Sequence, residues 1–207
     1  MPALTEGNVR HLLRRTEFVD RPERVATLLA AASIADAVDD VLSVEASPPS
    51  VDFTATSNWE RGVELVNHWF DRMAHDAPRP FQERMALFWH GHFCSDLGKV
   101  GSAALMREQI DLWRGSGLGN LRSLARTMST QVAMIRYLDN NDNRATSPNQ
   151  NFARELMELF LLGVGNYNEA DVEASTAAWT GHTDQWNDEV SPYRWRADWH
   201  DFSTKQY

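Results

Sequence analysis

Apolar positions recur along most of this chain at intervals of three and four, the spacing that one buried face of an α-helix requires. Val9, Leu12 and Leu13 predict a short first helix, Pro22 opens a second around residues 25–29, and residues 33–42 make a third. Residues 46–57, with Pro48, Pro49 and several Ser and Thr, read as a loop. Beyond it, Trp59, Val63, Val66, Phe70 and Met73 form the apolar stripe of an amphipathic helix, which leaves His68 off the stripe and solvated. Pro78 and Pro80 break the pattern, and Pro80 starts a helix over about residues 81–93. Ser102 caps a helix striped by Met106, Ile110 and Trp113, which Gly115 and Gly117 end. Leu118, Leu121, Leu124 and Met128 predict another, residues 132–138 a shorter one, and residues 139–147 a polar loop. Asn168 caps an alanine-rich helix running to Trp179.

After Gly181 the period changes to two. Tyr193, Trp195, Ala197 and Trp199 alternate with Arg194, Arg196, Asp198 and His200, the signature of a strand. Its partner is either the weak segment 183–186 or sequence outside this chain, because one strand cannot stand alone. The fold class expected is therefore mainly α, a multi-helix globular domain with a small β-strand or hairpin near the carboxyl end. The division expected is a helical domain over 1–181 and a β-containing appendage over 182–207 that continues into further sequence. Trp179, Trp186, Trp195 and Trp199 fall close together, and a strand would put Tyr193, Trp195 and Trp199 on one face. Burial as sheet core is the expectation for such a face. Exposed, it would be a stacking platform for a protein or carbohydrate partner.

Composition narrows the function classes. With 207 residues, 43% hydrophobic and 24% charged, the chain can bury an ordinary globular core. A formal net charge of −9 opposes binding to nucleic acid or to an anionic membrane surface. No membrane span is predicted, and no export signal: the longest apolar stretch, residues 25–38, is interrupted by Thr27, Ser33 and Asp36. A cytoplasmic location is the expectation from the chain alone. Cys94 is the single cysteine, so no disulfide forms within the chain, and the thiol is read as a buried small residue or as incidental.

The chemistry-bearing residues concentrate in two helical segments. PNQNFARELMELFLLG, residues 148–163, is apolar on nearly every side and is expected to lie inside the protein, yet it carries Glu155 and Glu158 about 60° apart beside Arg154. Buried carboxylates need a polar cleft, a cation or each other. In ERMALFWHGHF, residues 83–93, Glu83 and His90 are seven residues apart and share a helix face. His92 joins them only if Gly91 ends the helix and lets the ring swing back. Glu83, His90, Glu155 and Glu158 are thus candidate metal ligands or acid/base groups where the two helices meet. Imidazole and oxygen ligands would suit iron, manganese or zinc. Against a metal, no Glu-x-x-His step of the carboxylate-bridged di-iron kind occurs. The competing reading is a structural network in which Arg154 pairs with Glu158 and the carboxylates are held by Arg154 or Arg84. His92, His182 and the pair His200 and Asp201 are secondary candidates. Nucleophile elbows, His-Glu-x-x-His and phosphate-binding glycine loops are missing.

HLLRRTEF at 11–18, ERMALFWHGHF at 83–93, YLDN at 137–140, PNQNFARELMELFLLGVGNY at 148–167 and HDFSTK at 200–205 together resemble the bacterial family catalogued as domain of unknown function 1800. The motifs run in the family's order over nearly the whole chain. The resemblance implies that the chain is the amino-terminal part of a longer protein, and exported relatives bear on the expected location. It carries no reaction, cofactor or catalytic residue. Gln150 stands where the family motif has glutamate, removing one anionic group, and Gly91 stands where asparagine is common.

Overall fold

The computed structural model describes residues 4–185 and 191–207, so Trp186 lies outside the described residues. Mainly α with one small sheet, the chain divides into two compact units, Met1–Trp89 with Ile110–Leu118 and His90–Gln109 with Gly119–Tyr207.

The first unit opens with three helices: α1 (Glu6–Thr16), α2 (Pro22–Leu29) and α3 (Ile34–Leu42). Thr5 and Ser33 cap α1 and α3 through side-chain oxygens, and Pro22 sits at the first turn of α2. Their apolar faces meet in a cluster of Val9, Leu13, Val25, Leu28, Ala37 and Val41, against which Phe81 packs. Each such aliphatic side chain contributes about 1.5–3 kcal/mol by leaving water. Arg24 links the helices on the polar side, reaching Glu17 and Asp40 at 2.8 Å each.

Helix α4 (Asn58–Asp71) is capped by Ser57 and passes directly into a π-helical turn, Arg72–Asp76. Its orientation corrects the sequence reading. Trp59, Val63, Val66 and Phe70 are exposed, Trp59 by 75%, and of the predicted stripe only Met73 is buried. The inward face is the neighbouring row Gly62, Leu65, Trp69 and Arg72. Two rows at helical spacing compete on this helix, and the row containing Arg72 wins because that guanidinium has a buried anion to meet. Helix α5 (Pro80–His92) runs unbroken through Gly91, so His90 and His92 leave it in different directions.

The second unit holds α6 (Leu97–Val100), α8 (Leu121–Thr130), α9 (Val132–Tyr137), α10 (Asn151–Glu155) and α11 (Glu169–Trp179). Helix α7 (Ala103–Ser116) gives residues to both units; Met106, Ile110 and Trp113 are buried as the stripe predicts. Helix α8 begins at Leu121 behind the cap Asn120, three residues later than the apolar pattern suggests. Asn168 caps α11 in a reciprocal box with Asp171.

The segment after Glu155 is a second correction. The α-helix ends there and continues as a π-helix, Leu156–Leu161, in which Leu162 and Gly163 both donate to the Met157 carbonyl, at 2.9 and 3.0 Å. Phe152, Ala153 and Phe160 are buried, but Leu159, Leu161 and Leu162 are exposed by 46–57%, so the segment is not interior on all sides.

Near the carboxyl end, β1 (His182–Asp184) pairs antiparallel with β2 (Tyr193–Trp195), in the register His182 to Trp195, Thr183 to Arg194 and Asp184 to Tyr193. The weak segment is therefore the strand's partner. The second strand is shorter than the alternation predicts, because residues Ala197–Trp199 wind into a 3-10 turn. Gly181, at φ +81°, lets this turn close: a Cβ there would lie 2.5 Å from the Arg196 carbonyl oxygen. Tyr193 and Trp195 are exposed, 38% and 48%, contrary to the buried aromatic face expected. A two-stranded ribbon covers only one side of its aromatics. Cys94 also lies exposed rather than buried.

Candidate functional site

Glu83 lies in the first turn of α5, where negative charge is favoured by the helix dipole. Its side chain has no exposed surface. One carboxylate oxygen accepts from Arg72 Nε at 2.9 Å and the other from Arg114 Nε at 2.8 Å. The guanidiniums reach outward in turn, Arg72 to Glu45 and Arg114 to Asp111 at 3.0 Å. Gln82 locks the arrangement by accepting the Glu45 amide at 3.0 Å and donating to the Arg114 carbonyl at 2.9 Å. For Arg72, burial disfavours the charge, but the hydrogen bonds it donates to Glu45 and Glu83 outweigh it and raise the guanidinium pKa. All of these residues belong to the first unit.

The other candidates are distributed differently. His90, in the last turn of α5, is about 10 Å along the helix axis from Glu83. Burial lowers its pKa and favours the neutral ring. His92 places Nε2 2.9 Å from the Phe160 carbonyl and stacks edgewise on Phe93. Arg84 donates to the Glu17 carbonyl and lies over the Phe18 ring, so the partners of Glu83 are Arg72 and Arg114 rather than Arg84. Arg154 reaches Glu169 at 2.7 Å and Gln150 at 3.0 Å. Glu158 accepts from the Tyr167 hydroxyl at 2.8 Å, which raises the phenol pKa. Among the described residues, no group of three or more His, Cys, Asp or Glu is placed to hold a metal ion.

Glu155 turns to a different place, a cavity of about 280 Å³ within the second unit. Cys94, Lys99, Tyr137 and Asn151 share its walls with Leu159 and Phe160. Lys99 pairs with Asp139 at 2.8 Å and lies 5.5 Å from the Tyr137 ring centre. Burial, then the neighbouring Cys94 and Asp96, raise the Tyr137 pKa. The lysine, tyrosine and thiol carry no periodic pattern that would have marked them in the sequence.

Around the hairpin the polar residues tie backbone together. Asn143 donates to Asn140 Oδ1 and to the Thr176 carbonyl, and accepts from the Asn149 amide. Asn140 donates to the carbonyls of Trp179 and His182, and buried Arg136 holds Asp184 at 2.7 Å. His200 Nδ1 lies 2.8 Å from the Thr180 carbonyl, and Thr180 Oγ1 accepts from the Asp201 amide. Asp201 and Lys205 then close a local turn, with Lys205 also donating to the Ser203 carbonyl. Tyr193 meets His182 Nδ1 at 2.7 Å, and burial followed by repulsion from His200 lowers the His182 pKa to about 4. On the outer side, Trp199 has Arg144 3.7 Å and Arg196 4.2 Å from its ring centre. Phe202 meets Trp195 and His200 edge to face, and those two rings lie tilted to each other.

A mainly helical protein with buried carboxylate–guanidinium clusters and an aromatic-faced hairpin is the class that fold and site define. The chain belongs to the family described as protein of unknown function DUF1800, whose model matches residues 11–207. No curated protein and no solved structure matches it. No helix among the described residues is long and apolar enough to cross a membrane.

Proposed function

We propose that this chain is a noncatalytic binding protein in which the Glu83 cluster is structural and the aromatic face at the hairpin meets the partner. The observation that carries the reading is the capture of both Glu83 oxygens by buried arginines. A metal ligand or proton-transfer group needs a lone pair open to its target, and a carboxylate between two guanidiniums is instead an ion cluster that holds helices in register. Exposed Tyr193 and Trp195, with Phe202 at 73% exposure, offer flat rings suited to a sugar ring or an apolar protein surface. The residues 182–207 act in this reading as a recognition appendage.

A second reading rests on the Glu155 cavity. A carboxylate, an ammonium, a phenol and a thiol around about 280 Å³ suit a small polar ligand, with Glu155 as acid or base. The test compares Trp195→Ala with Glu155→Gln against a panel of soluble polysaccharides, following binding by calorimetry and turnover by reducing-end release. Binding without turnover, lost in Trp195→Ala and kept in Glu155→Gln, is the expected result. Turnover that depends on Glu155 would replace the binding reading with an enzymatic one.

A further inference from the structure

The second unit carries a groove of about 710 Å³ beside α8, within the roughly 300–1,000 Å³ range of small-molecule sites. Leu121, Leu156, Leu161, Leu162 and Trp179 supply its apolar walls. Leu121, Leu161 and Leu162 are each about half exposed, so the groove keeps apolar surface in water. Its hydroxyls are already spent: Ser129 donates to the Ala125 carbonyl at 2.8 Å and Thr130 to the Thr127 carbonyl at 3.2 Å.

That leaves Arg122 and Arg126 as the charged groups with donors to offer. They stand four residues apart on one face of α8, both exposed, and neither guanidinium has an ion pair or hydrogen bond among the described residues. Nothing local explains them. Like charges at this spacing destabilise a helix, and Arg122 occupies the first turn, where the dipole disfavours positive charge. In a chain of net charge −9, two guanidiniums without a partner among the described residues, at the edge of an apolar groove, are complementary to an anion with a hydrocarbon body. We infer that this groove binds a single-chain amphiphile with an anionic head group, the head held by Arg122 and Arg126 and the chain lying along Leu156, Leu161, Leu162 and Trp179. The groove shares no lining residue with the aromatic face invoked above, so its test does not depend on that reading.

The test is calorimetric titration of the full chain with decanoate, laurate and dodecyl phosphate below their micelle concentrations, beside dodecanol and dodecyltrimethylammonium. Saturable one-to-one binding of the anions is expected, rising about fourfold per added methylene and much weaker for the neutral and cationic chains. The tighter of the two anions identifies the head group as carboxylate or phosphate. Arg122→Gln with Arg126→Gln, both exposed and so without cost to folding, should weaken the anions roughly tenfold or more. Leu162→Gln, a second variant, should remove the chain-length dependence. Equal binding of the cationic chain, unsaturable uptake, an unchanged affinity in the double arginine variant, or binding of an acidic amphipathic peptide but of no amphiphile would each overturn the inference.

Discussion

Replacing Glu83 by glutamine separates a structural ion cluster from a site residue. The substitution keeps the shape but removes the charge, and it presents an amide donor to one of two guanidiniums that also donate. Arg72 and Arg114 have side chains only 4% and 1% exposed, so neither can turn to water for compensation. Removing one member of a buried ion cluster typically costs about 3–5 kcal/mol. Arg72 keeps Glu45 and Arg114 keeps Asp111, which places the expected loss near the lower end, about 3 kcal/mol. Against a total stability of about 5–15 kcal/mol that is a large fraction. At about 2–4 °C per kcal/mol for a chain of this size, the melting temperature should fall by roughly 6–12 °C. Urea unfolding followed by far-ultraviolet circular dichroism measures it, and the loss should change little between low and high salt because a buried cluster is poorly screened. The triple replacement Arg72→Met, Glu83→Leu, Arg114→Met should recover most of the stability, since a packed apolar trio leaves no charge unpaired. A Glu83→Gln loss within about 1 kcal/mol of wild type, the range of an exposed pair, would refute the reasoning.

Gly181→Ala should destabilise the hairpin by about 1–3 kcal/mol from the left-handed backbone alone, with a further cost from the contact with the Arg196 carbonyl. Amide exchange at Arg196, which donates to the Gly181 carbonyl, reports it; unchanged protection there would contradict the role assigned to this glycine. His182, with a folded pKa of about 4 against an ordinary 6.5, binds its proton more readily in the unfolded chain. Its contribution is therefore present above about pH 6.5 and lost as pH falls toward 4. Exchange protection of the hairpin should decline across that window in wild type and lose this component in His182→Gln; identical profiles for the two would exclude His182 as its origin.

Local chemistry made much of the fold legible. Ser33, Ser57 and Asn168 each accept from an amide two or three residues on, so these helix starts were readable from a few neighbouring letters. The buried stripe of α7 and the period-two ribbon followed from spacing alone. Where two patterns overlapped, spacing could not decide: on α4 both the Trp59 row and the Leu65 row suit a helix, and the choice depends on what packs against them. The π-helical continuation after Glu155 also escaped, because a periodicity argument assumes a constant turn, and so Glu155 and Glu158 part company, one to the cavity and one to Tyr167.

The sequence by itself determined that the chain is mainly helical and where most helices begin, because these follow from short-range caps and periods. The tertiary structure alone decided what answers each charge. Arg72 and Arg114 lie 11 and 31 residues from Glu83, and Lys99 and Tyr137 join Glu155 at one cavity from distant segments. Electrostatic partnership depends on distance in space, and only the packed chain sets that distance.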